Sequence, residues 1–290
     1  MSATKVIDYI HQLRKRYYQS SHTKSALLKM IGESEVSEQV YNSNAIENST
    51  LSLEETDKVL VQIELDRYIS ERELFETKNL ARVINYIDER AKEKELSIEI
   101  ILFLHKMLLS NIKDDVAGRF RQDQEWVRVG SHIAADPSKV HTLMDELLIY
   151  YFSAADENIV RKISKFHLSF ENIHPFVDGN GRLGRVLNNY ILIREGYVPI
   201  NIKFIDRKKY YEAFKEFDST GKTKIMETMV SQALTNSYHK RLAYLEGKTI
   251  IKLSDYAKQS EYSHQNLLNK AKRQTIEAFT EKGVWKIGVD

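Results

Sequence analysis

Cysteine is absent from the 290 residues, which excludes disulfides, thiolate zinc sites and cysteine nucleophiles. Proline occurs 3 times and glycine 11 times, and so few breakers favour long helices over a turn-rich β-sandwich. The longest apolar runs, such as Ile100–Leu104, are far shorter than the roughly 20 residues that a membrane-spanning helix needs. The first residues also lack the apolar core of a signal peptide, so we expect a cytoplasmic protein without a membrane anchor.

The chain also lacks a large excess of positive or negative charge. The chain holds 43 lysines and arginines against 41 acidic residues, a net charge of +2, so no polyanion-binding signal comes from the whole chain. Hydrophobic residues make up 42%, a value typical of globular proteins. Apolar residues recur mostly at helical spacing, which predicts an all-α fold. The predicted helices include residues 7–17, 56–65, 71–91, 97–110, 140–154, 160–173, 189–195, 209–217 and 225–245, and the predicted short strands are 126–129, 200–204 and 284–287.

The last 43 residues, 248–290, differ from the rest because they hold more lysines and arginines than acidic residues. Their pattern predicts a helix over Leu253–Gln259, a turn, a second helix over 263–275 and a short strand that includes Trp285. This order is typical of a winged helix-turn-helix, whose second helix enters a DNA groove. Such folds also serve as protein-contact modules, and a basic tail is often only a solvated surface, so DNA binding stays open here.

The candidate catalytic and phosphate-binding residues are concentrated in the segment from His174 to Arg185, which reads HPFVDGNGRLGR. Its glycines let backbone N–H groups approach phosphate oxygens, and a helix that begins near Gly181 aims its positive end at the same anion. Arg182 and Arg185 share one helical face and suit bidentate phosphate contacts. Asp178 offers the hard oxygen that Mg²⁺ prefers beside nucleotide phosphates. His174 titrates near neutrality, so its imidazole suits proton removal from an attacking hydroxyl.

Three other interpretations fit this segment less well. Residues 179–184 satisfy the G-x-G-x-x-G dinucleotide fingerprint, but the preceding residues 160–173 predict a helix where a buried strand is required. Residues 179–186 nearly match a P-loop, but Arg185 replaces its lysine and Val186 its serine or threonine. A plain structural loop explains the glycines but not the convergence of a histidine, an aspartate and two arginines.

At these residues the sequence resembles the Fic family, whose motif H-P-F-x-D-G-N-G-R-x-x-R is met at every fixed position. The resemblance implies a Fic-type helical bundle that transfers a nucleotide monophosphate, usually the AMP of ATP, to a protein hydroxyl. By resemblance, His174 is the general base and Asp178 the Mg²⁺ ligand. Phe176 resembles the core anchor of the loop. The anion hole and the phosphate clamp are implied for Gly179, Asn180, Gly181, Arg182 and Arg185. Relatives that phosphorylate carry a lysine at the position of Gly181, which favours nucleotidyl transfer here.

The resemblance extends over residues 41–245. Residues 118–121 and 126–130 are similar to the family's β-hairpin flap, which pairs with an extended target segment as an added strand. Tyr210 and Tyr211 resemble residues that flank the adenine, although a tyrosine pair on a helix is equally well a core feature. For His167, seven residues before His174, a packed helix histidine is the favoured interpretation.

A second motif lies upstream. Residues 43–48, SNAIEN, fit the [S/T]-x-x-x-E-[G/N] pattern of the family's inhibitory helix through Ser43, Glu47 and Asn48. In relatives that carry this helix before the active motif, the glutamate pairs with the second motif arginine, here Arg185. ATP then binds in a non-productive pose. In some relatives the same glutamate orients a water that removes AMP, the reverse reaction.

The sequence therefore predicts three segments: an N-terminal helical region 1–95 with the inhibitory helix at about 41–48, a Fic core 96–247, and the winged helix-turn-helix-like tail 248–290. The expected function is a protein adenylyltransferase that uses Mg²⁺ and ATP, acts on a serine, threonine or tyrosine of an unknown protein, and is inhibited by Glu47. A DNA-binding regulator with the Fic domain as sensor is the alternative. A toxin held by a separate antitoxin is disfavoured because the inhibitory motif lies in the same chain, and a homodimer stays open.

Overall fold

A computed structural model describes residues 3–129 and 132–290. Helices account for most of this described part, and the strands are short. The α-helices are α1 Ala3–Ser21, α2 Ser25–Ile46, α3 Leu53–Leu60, α4 Glu71–Arg90, α5 Ile98–Leu109, α6 Val140–Ser153, α7 Ile159–Ile173, α8 Asn180–Arg194, α9 Arg207–Thr220, α10 Lys224–Leu245, α11 Leu253–Gln259 and α12 His264–Lys272. The strands are β1 Arg128–Val129, β2 His132–Ile133, β3 Thr249–Lys252, β4 Ala278–Glu281 and β5 Val284–Val289, and 3-10 turns span Pro137–Lys139 and Phe204–Asp206.

The described residues divide into two compact units. The first comprises the described part of Met1–Glu35 with Val198–Asn201 and Thr228–Asp290. The second comprises Ile202–Glu227 with the described part of Val36–Tyr197. The three segments predicted from the sequence stay a prediction about how the chain is organised.

Most helices lie where their periodicity predicts, and the differences have local causes. The helix predicted at residues 56–65 begins three residues earlier, because Ser52 and Glu55 form a reciprocal capping box ahead of α3. It ends at Leu60, and Gln62 then takes a left-handed φ of 62°. The strand predicted at 200–204 is wrong. Ile200 and Ile202 are both buried, which explains the strand-like alternation, but this segment joins no sheet and leads into a 3-10 turn.

Helix α2 is much longer than the predicted inhibitory helix at 41–48. It runs for 22 residues from Ser25 to Ile46, so Glu47 and Asn48 follow its last residue. Several of its inward positions are polar, including the buried Glu38, Asn42 and Ser43. Buried polar residues interrupt the apolar stripe that reveals a helix in a sequence, which is why α2 escaped prediction.

Helices α7 and α8 form the centre of the second unit. Asn158 caps α7, where its Oδ1 accepts a hydrogen bond of 3.0 Å from the Arg161 N–H. Helix α7 ends at Ile173, and the next residue, His174, takes a left-handed φ of 52°. Helix α8 follows Gly179, whose φ of 81° is accessible at little cost only to glycine. Thirteen of the 15 residues of α8 are buried, so the loop at 174–179 is anchored at both ends in the core.

The C-terminal part of the first unit contains α11, α12 and an antiparallel sheet in the order β3-β5-β4. Both helices and the strand around Trp285 lie where the sequence predicts them. Strands β3 and β4, of four residues each, were not predicted. A small apolar core joins helices and sheet, and its buried members are Leu253, Leu267, Ala271, Ala278 and Ile287. Within the described residues, no helix is both long enough and apolar enough to cross a bilayer.

We expect Leu253→Ala to destabilise this C-terminal core. The Leu253 side chain is fully buried, and removal of its methyl groups leaves a cavity that typically costs about 2–5 kcal/mol. Urea unfolding would measure the loss. Lys258→Ala on the exposed side of the same helix is the control, and equal midpoints for the two variants would contradict the packing described here.

Candidate active site

Arg121 holds the start of the motif loop through the backbone. Its side chain is only 2% exposed, although it carries a permanent charge. Its Nε donates to the carbonyl of His174 at 2.7 Å, and its Nη2 donates to the carbonyls of Ile173 and Ala135 at 3.2 and 2.8 Å. The Arg121 N–H donates to the carbonyl of Pro175 at 2.9 Å. The backbone on both sides of the His174–Pro175 bond is therefore fixed by one residue, through its side chain at His174 and its backbone N–H at Pro175.

Phe176 anchors the middle of the loop in the core. Its ring is fully buried and stacks on His105, with 3.7 Å between ring centroids. His105 Nδ1 accepts the Gly118 N–H at 2.9 Å, so its Nε2 carries the proton and donates to the carbonyl of Asp178 at 3.0 Å. Burial lowers the pKa of His105 to about 4, so this imidazole is neutral at pH 7. The anchor predicted at Phe176 thus includes a histidine from α5.

The Asn180 side chain forms hydrogen bonds back to the backbone of the preceding loop. Its Oδ1 accepts the Phe176 N–H at 2.9 Å, and its Nδ2 donates to the Phe176 carbonyl at 2.8 Å. The Asn180 amide therefore braces the loop. The backbone N–H groups of the first turn of α8 are the donors that an anion would meet there, at the positive end of the helix.

Asp178 lies among positive charges. Its carboxylate contacts Arg72 at 2.7 Å, Arg182 at 3.1 Å and Lys113 at 3.3 Å. Burial alone would raise the pKa of Asp178, but these three cations outweigh it and hold the pKa at about 2. Asp178 is therefore ionised at pH 7.

Arg182, one of the two predicted clamp arginines, is 3% exposed and pairs with two acids. It contacts Asp178 and also Glu76, at 3.0 Å. Its predicted contact with phosphate stays a prediction. The structure shows that Arg182, in the first turn of α8, also forms an ion pair with Asp178.

Arg185 is the second predicted clamp arginine and meets the upstream motif. Its Nε donates to Ser43 Oγ at 2.9 Å, and its Nη2 donates at 2.9 Å to both the Ser43 carbonyl and Glu47 Oε1. Burial would lower the pKa of Arg185, but Tyr210, Glu47 and Glu171 raise it, so the cation persists. The structure thus places the two sequence motifs against each other, as the resemblance implied.

The Glu47 carboxylate lies against the backbone of Gly181. A Cβ on Gly181 would collide with the Glu47 carboxylate, and it would lie 3.2 Å from Arg185 Nη1. The Glu47 carboxylate therefore lies directly over the first turn of α8. Asn48 follows with a left-handed φ of 71°, and its Oδ1 accepts a 2.7 Å hydrogen bond from Arg207 Nη2.

The two tyrosines predicted near adenine have different surroundings. Tyr210 is 1% exposed, and its hydroxyl contacts Arg185 Nη1 at 3.2 Å and His167 Nε2 at 2.8 Å. Tyr211 is only partly buried, and Arg207 lies over its ring, 5.4 Å from the centroid. The adenine role stays a prediction for both, and the structure gives Tyr210 contacts that this prediction did not anticipate.

His174, the predicted base, ends α7 beside an unusual carboxyl group. Its Nδ1 lies 3.9 Å from Glu171 Oε2, and its side chain is 14% exposed. Burial, with a contribution from Glu47, raises the pKa of Glu171 to about 8, although Arg185 opposes the shift. Glu171 is therefore largely protonated at pH 7.

The predicted flap contains a small antiparallel hairpin. Strands β1 and β2 pair Arg128 with Ile133. The exposed side chain of Ile133 belongs to β2, and that of Trp126 lies shortly before β1. Gly130, which the prediction included, lies outside the described residues.

The family comparison agrees with this geometry. The model of the Fic/DOC family matches residues 95–192, which contain the whole active motif. This segment is a Fic domain. The resemblance drawn from the motif is thereby confirmed for the segment that carries it.

Curated relatives of this Fic domain protein include the protein adenylyltransferase Fic of two fruit flies. That of Drosophila persimilis is 32% identical over 199 residues, which cover 67% of this chain and 38% of the relative. That of Drosophila melanogaster is 31% identical over 223 residues, which cover 72% and 44%. The chain thus spans less than half the length of these relatives.

Solved structures show the same fold. A Fic domain-containing signaling protein from Bacteroides thetaiotaomicron has a TM-score of 0.73 and 24% identity, and the match covers 83% of this chain and 97% of that one. Fic-1 from C. elegans has a TM-score of 0.72 and 25% identity, over 82% and 71%. The predicted Fic-type helical bundle is therefore confirmed.

The Fic site also contains residues that the motif analysis missed. Arg121 was noted only within the flap, and His105, Glu171, Arg72 and Lys113 were not singled out. Arg72, His105 and Glu171 belong to α4, α5 and α7, and the other two side chains lie in the segment between α5 and β1. All except Glu171 are far from the motif in sequence. For Glu171 a signal existed, because it lies one helical turn before His174 on the same face.

We expect the free energy of unfolding to decrease as the pH rises from about 4.5 to 8, because of Glu171. Native Glu171 keeps a proton up to about pH 8, whereas an unfolded glutamate releases it near 4.5, so rising pH favours unfolding across this window. Glu171→Gln stays neutral and should lose less stability. Urea unfolding from pH 5 to 9 would compare wild type, Glu171→Gln and the exposed control Glu146→Gln. Parallel pH profiles for all three would contradict a protonated Glu171.

Proposed function

We propose that this protein transfers AMP from ATP to a hydroxyl of a target protein and that Glu47 inhibits the transfer. The observation that carries the proposal is the position of the Glu47 carboxylate. It pairs with Arg185 over the first turn of α8, where the backbone and the motif residues are suited to a phosphate. The Fic domain and the adenylyltransferase names of the relatives support the same activity.

ATP would bind with its phosphates at the N-terminus of α8. The N–H groups of the first turn and the absence of a side chain at Gly181 leave the backbone accessible once Glu47 departs. Arg185 is then the cation for the terminal phosphates, because its guanidinium fits phosphate oxygens as well as a carboxylate. This assignment accounts for the competition between Glu47 and ATP.

Asp178 fits the role of a magnesium ligand. It is ionised at pH 7, and its carboxylate oxygens suit a hard cation. Among the residues that the structure describes, no group of three acidic or histidine side chains could hold a metal. At magnesium–nucleotide sites the protein usually supplies only one or two carboxylates, and the nucleotide phosphates supply further ligands. Bound Mg²⁺ would neutralise phosphate charge there.

His174 would take the proton of the attacking hydroxyl. The hydroxyl oxygen forms a bond to the α-phosphorus, the bond from that phosphorus to the β-phosphate oxygen breaks, and pyrophosphate leaves. The left-handed turn at His174 and the Arg121 hydrogen bond to its carbonyl hold the backbone of this residue at the end of α7, so the base is attached to a fixed part of the loop.

Several finer features stay predictions. These are the target protein and its modified residue, the pairing of a target segment with the hairpin at β1 and β2, and the removal of AMP with help from Glu47. DNA binding by residues 248–290 also stays a prediction, and the comparisons favour the transferase over a DNA-binding regulator. A cytoplasmic location and a homodimer stay predictions as well.

We expect His174→Ala to lose AMP transfer by about 10²–10⁴-fold, the usual contribution of a general base. Labelled ATP with Mg²⁺ and the Glu47→Gly protein would provide the reference rate. The circular dichroism melt should hardly change, because His174 is at a helix end and partly exposed. A variant that labels protein at the reference rate would remove His174 from the mechanism.

We expect Glu47→Gly to raise AMP transfer by about ten- to a hundredfold. It removes a charge-assisted pair with Arg185, and such pairs contribute about 1.5–3 kcal/mol. Incorporation of label from ATP into the protein itself and into lysate proteins measures the gain. Glu64→Gly, in an exposed loop after α3, is the matched control. If Glu47→Gly and Glu64→Gly were equally active, the inhibitory role of Glu47 would be wrong.

A further inference from the structure

The hydroxyl of Tyr210 lies between Arg185 and His167 in a buried part of the site. Arg185 Nη1 donates to it at 3.2 Å, and His167 Nε2 lies 2.8 Å away on its other side. Tyr210 and His167 are 1% and 0% exposed. None of the chemistry assigned above uses this pair.

The direction of these hydrogen bonds follows from their donors. A guanidinium only donates, so the Tyr210 oxygen accepts from Arg185, and its proton is assigned to His167 Nε2 as the acceptor. With this assignment His167 is neutral and carries its proton on Nδ1. Burial lowers the pKa of His167 to about 3, which agrees with a neutral ring at pH 7.

Tyr210 differs from the other partners of Arg185. Ser43 and Glu47 both belong to the inhibitory segment, whereas Tyr210 belongs to α9. Tyr210 accepts its hydrogen bond from Arg185 at a position outside residues 43–47. When Glu47 leaves, the contacts of Arg185 with Ser43 and Tyr210 remain, and Tyr210 holds the guanidinium from α9 rather than from residues 43–47.

We infer that Tyr210, oriented by His167, is a positioning residue that keeps the Arg185 guanidinium facing the terminal phosphates of ATP after Glu47 has left. The inference rests on the nucleotide site proposed above. It assigns to Tyr210 a role through its hydroxyl rather than through the face of its ring, since that face is buried and Arg185 lies 5.7 Å from its centroid.

Nucleotide binding without turnover tests this role. In the Glu47→Gly/His174→Ala background, calorimetry measures the dissociation constants of ATP and AMP with Mg²⁺ present. Tyr210→Phe keeps the ring and removes only the hydroxyl. We expect it to weaken ATP binding about tenfold, the value of one hydrogen bond to a charged group, and to leave AMP binding unchanged. AMP lacks the phosphates that Arg185 would contact.

Two controls separate this role from general destabilisation. Tyr190→Phe also removes a buried hydroxyl, one that donates to the Lys94 carbonyl at 2.7 Å, and it should leave both constants unchanged. His167→Gln keeps an acceptor near the position of Nε2 and should bind ATP normally, whereas His167→Leu should weaken ATP as Tyr210→Phe does. In an Arg185→Ala background, Tyr210→Phe should cause no further loss.

The inference would be overturned if Tyr210→Phe weakened the binding of ATP and AMP equally, or if it weakened the binding of neither. It would also be overturned if Tyr210→Phe weakened ATP binding by the same factor in the Arg185→Ala background. The proposed function fails by a different result, namely no AMP transfer by Glu47→Gly protein that still binds ATP. Binding and transfer are measured separately, so the two failures are distinguishable.

Discussion

The site depends on the burial of the Arg185 charge. A guanidinium does not give up its proton in a protein, so once it is buried in α8 it must have partners. The structure supplies Ser43, Glu47 and Tyr210 from two different helices and the turn after one of them. This requirement connects residues 43–47, the motif helix and α9, and it makes the same cation available to an anion that displaces Glu47.

A second constraint fixes the loop before α8. Arg121, His105 and Asn180 hold its backbone by hydrogen bonds to carbonyl and N–H groups. The loop geometry therefore does not rely on the side chains that would do chemistry. Preorganised groups of this kind need no rearrangement when charge develops during a reaction, which is the main way in which such sites accelerate transfer.

Local patterns in the sequence predicted where the motif and its neighbouring helices lie. The twelve-residue motif, the helices around it and the pairing of Glu47 with Arg185 all follow from short segments and their resemblance. The partners Arg121 and His105 could not be predicted, because they reach the loop through tertiary packing from distant parts of the chain. Helix α2 was missed for a related reason, since its inward face carries Glu38, Asn42 and Ser43 where an apolar stripe would reveal a helix.

The end of α2 limits how residues 43–47 can change over evolutionary time. Ser43 and Glu47 both bind Arg185, one from the last turn of the helix and one from just beyond it. A single inserted or deleted residue between them would turn the following chain by about 100° and move it about 1.5 Å along the axis. Insertions and deletions there should therefore be far rarer than substitutions at the intervening positions, and the length of this segment would be inherited more strictly than its composition.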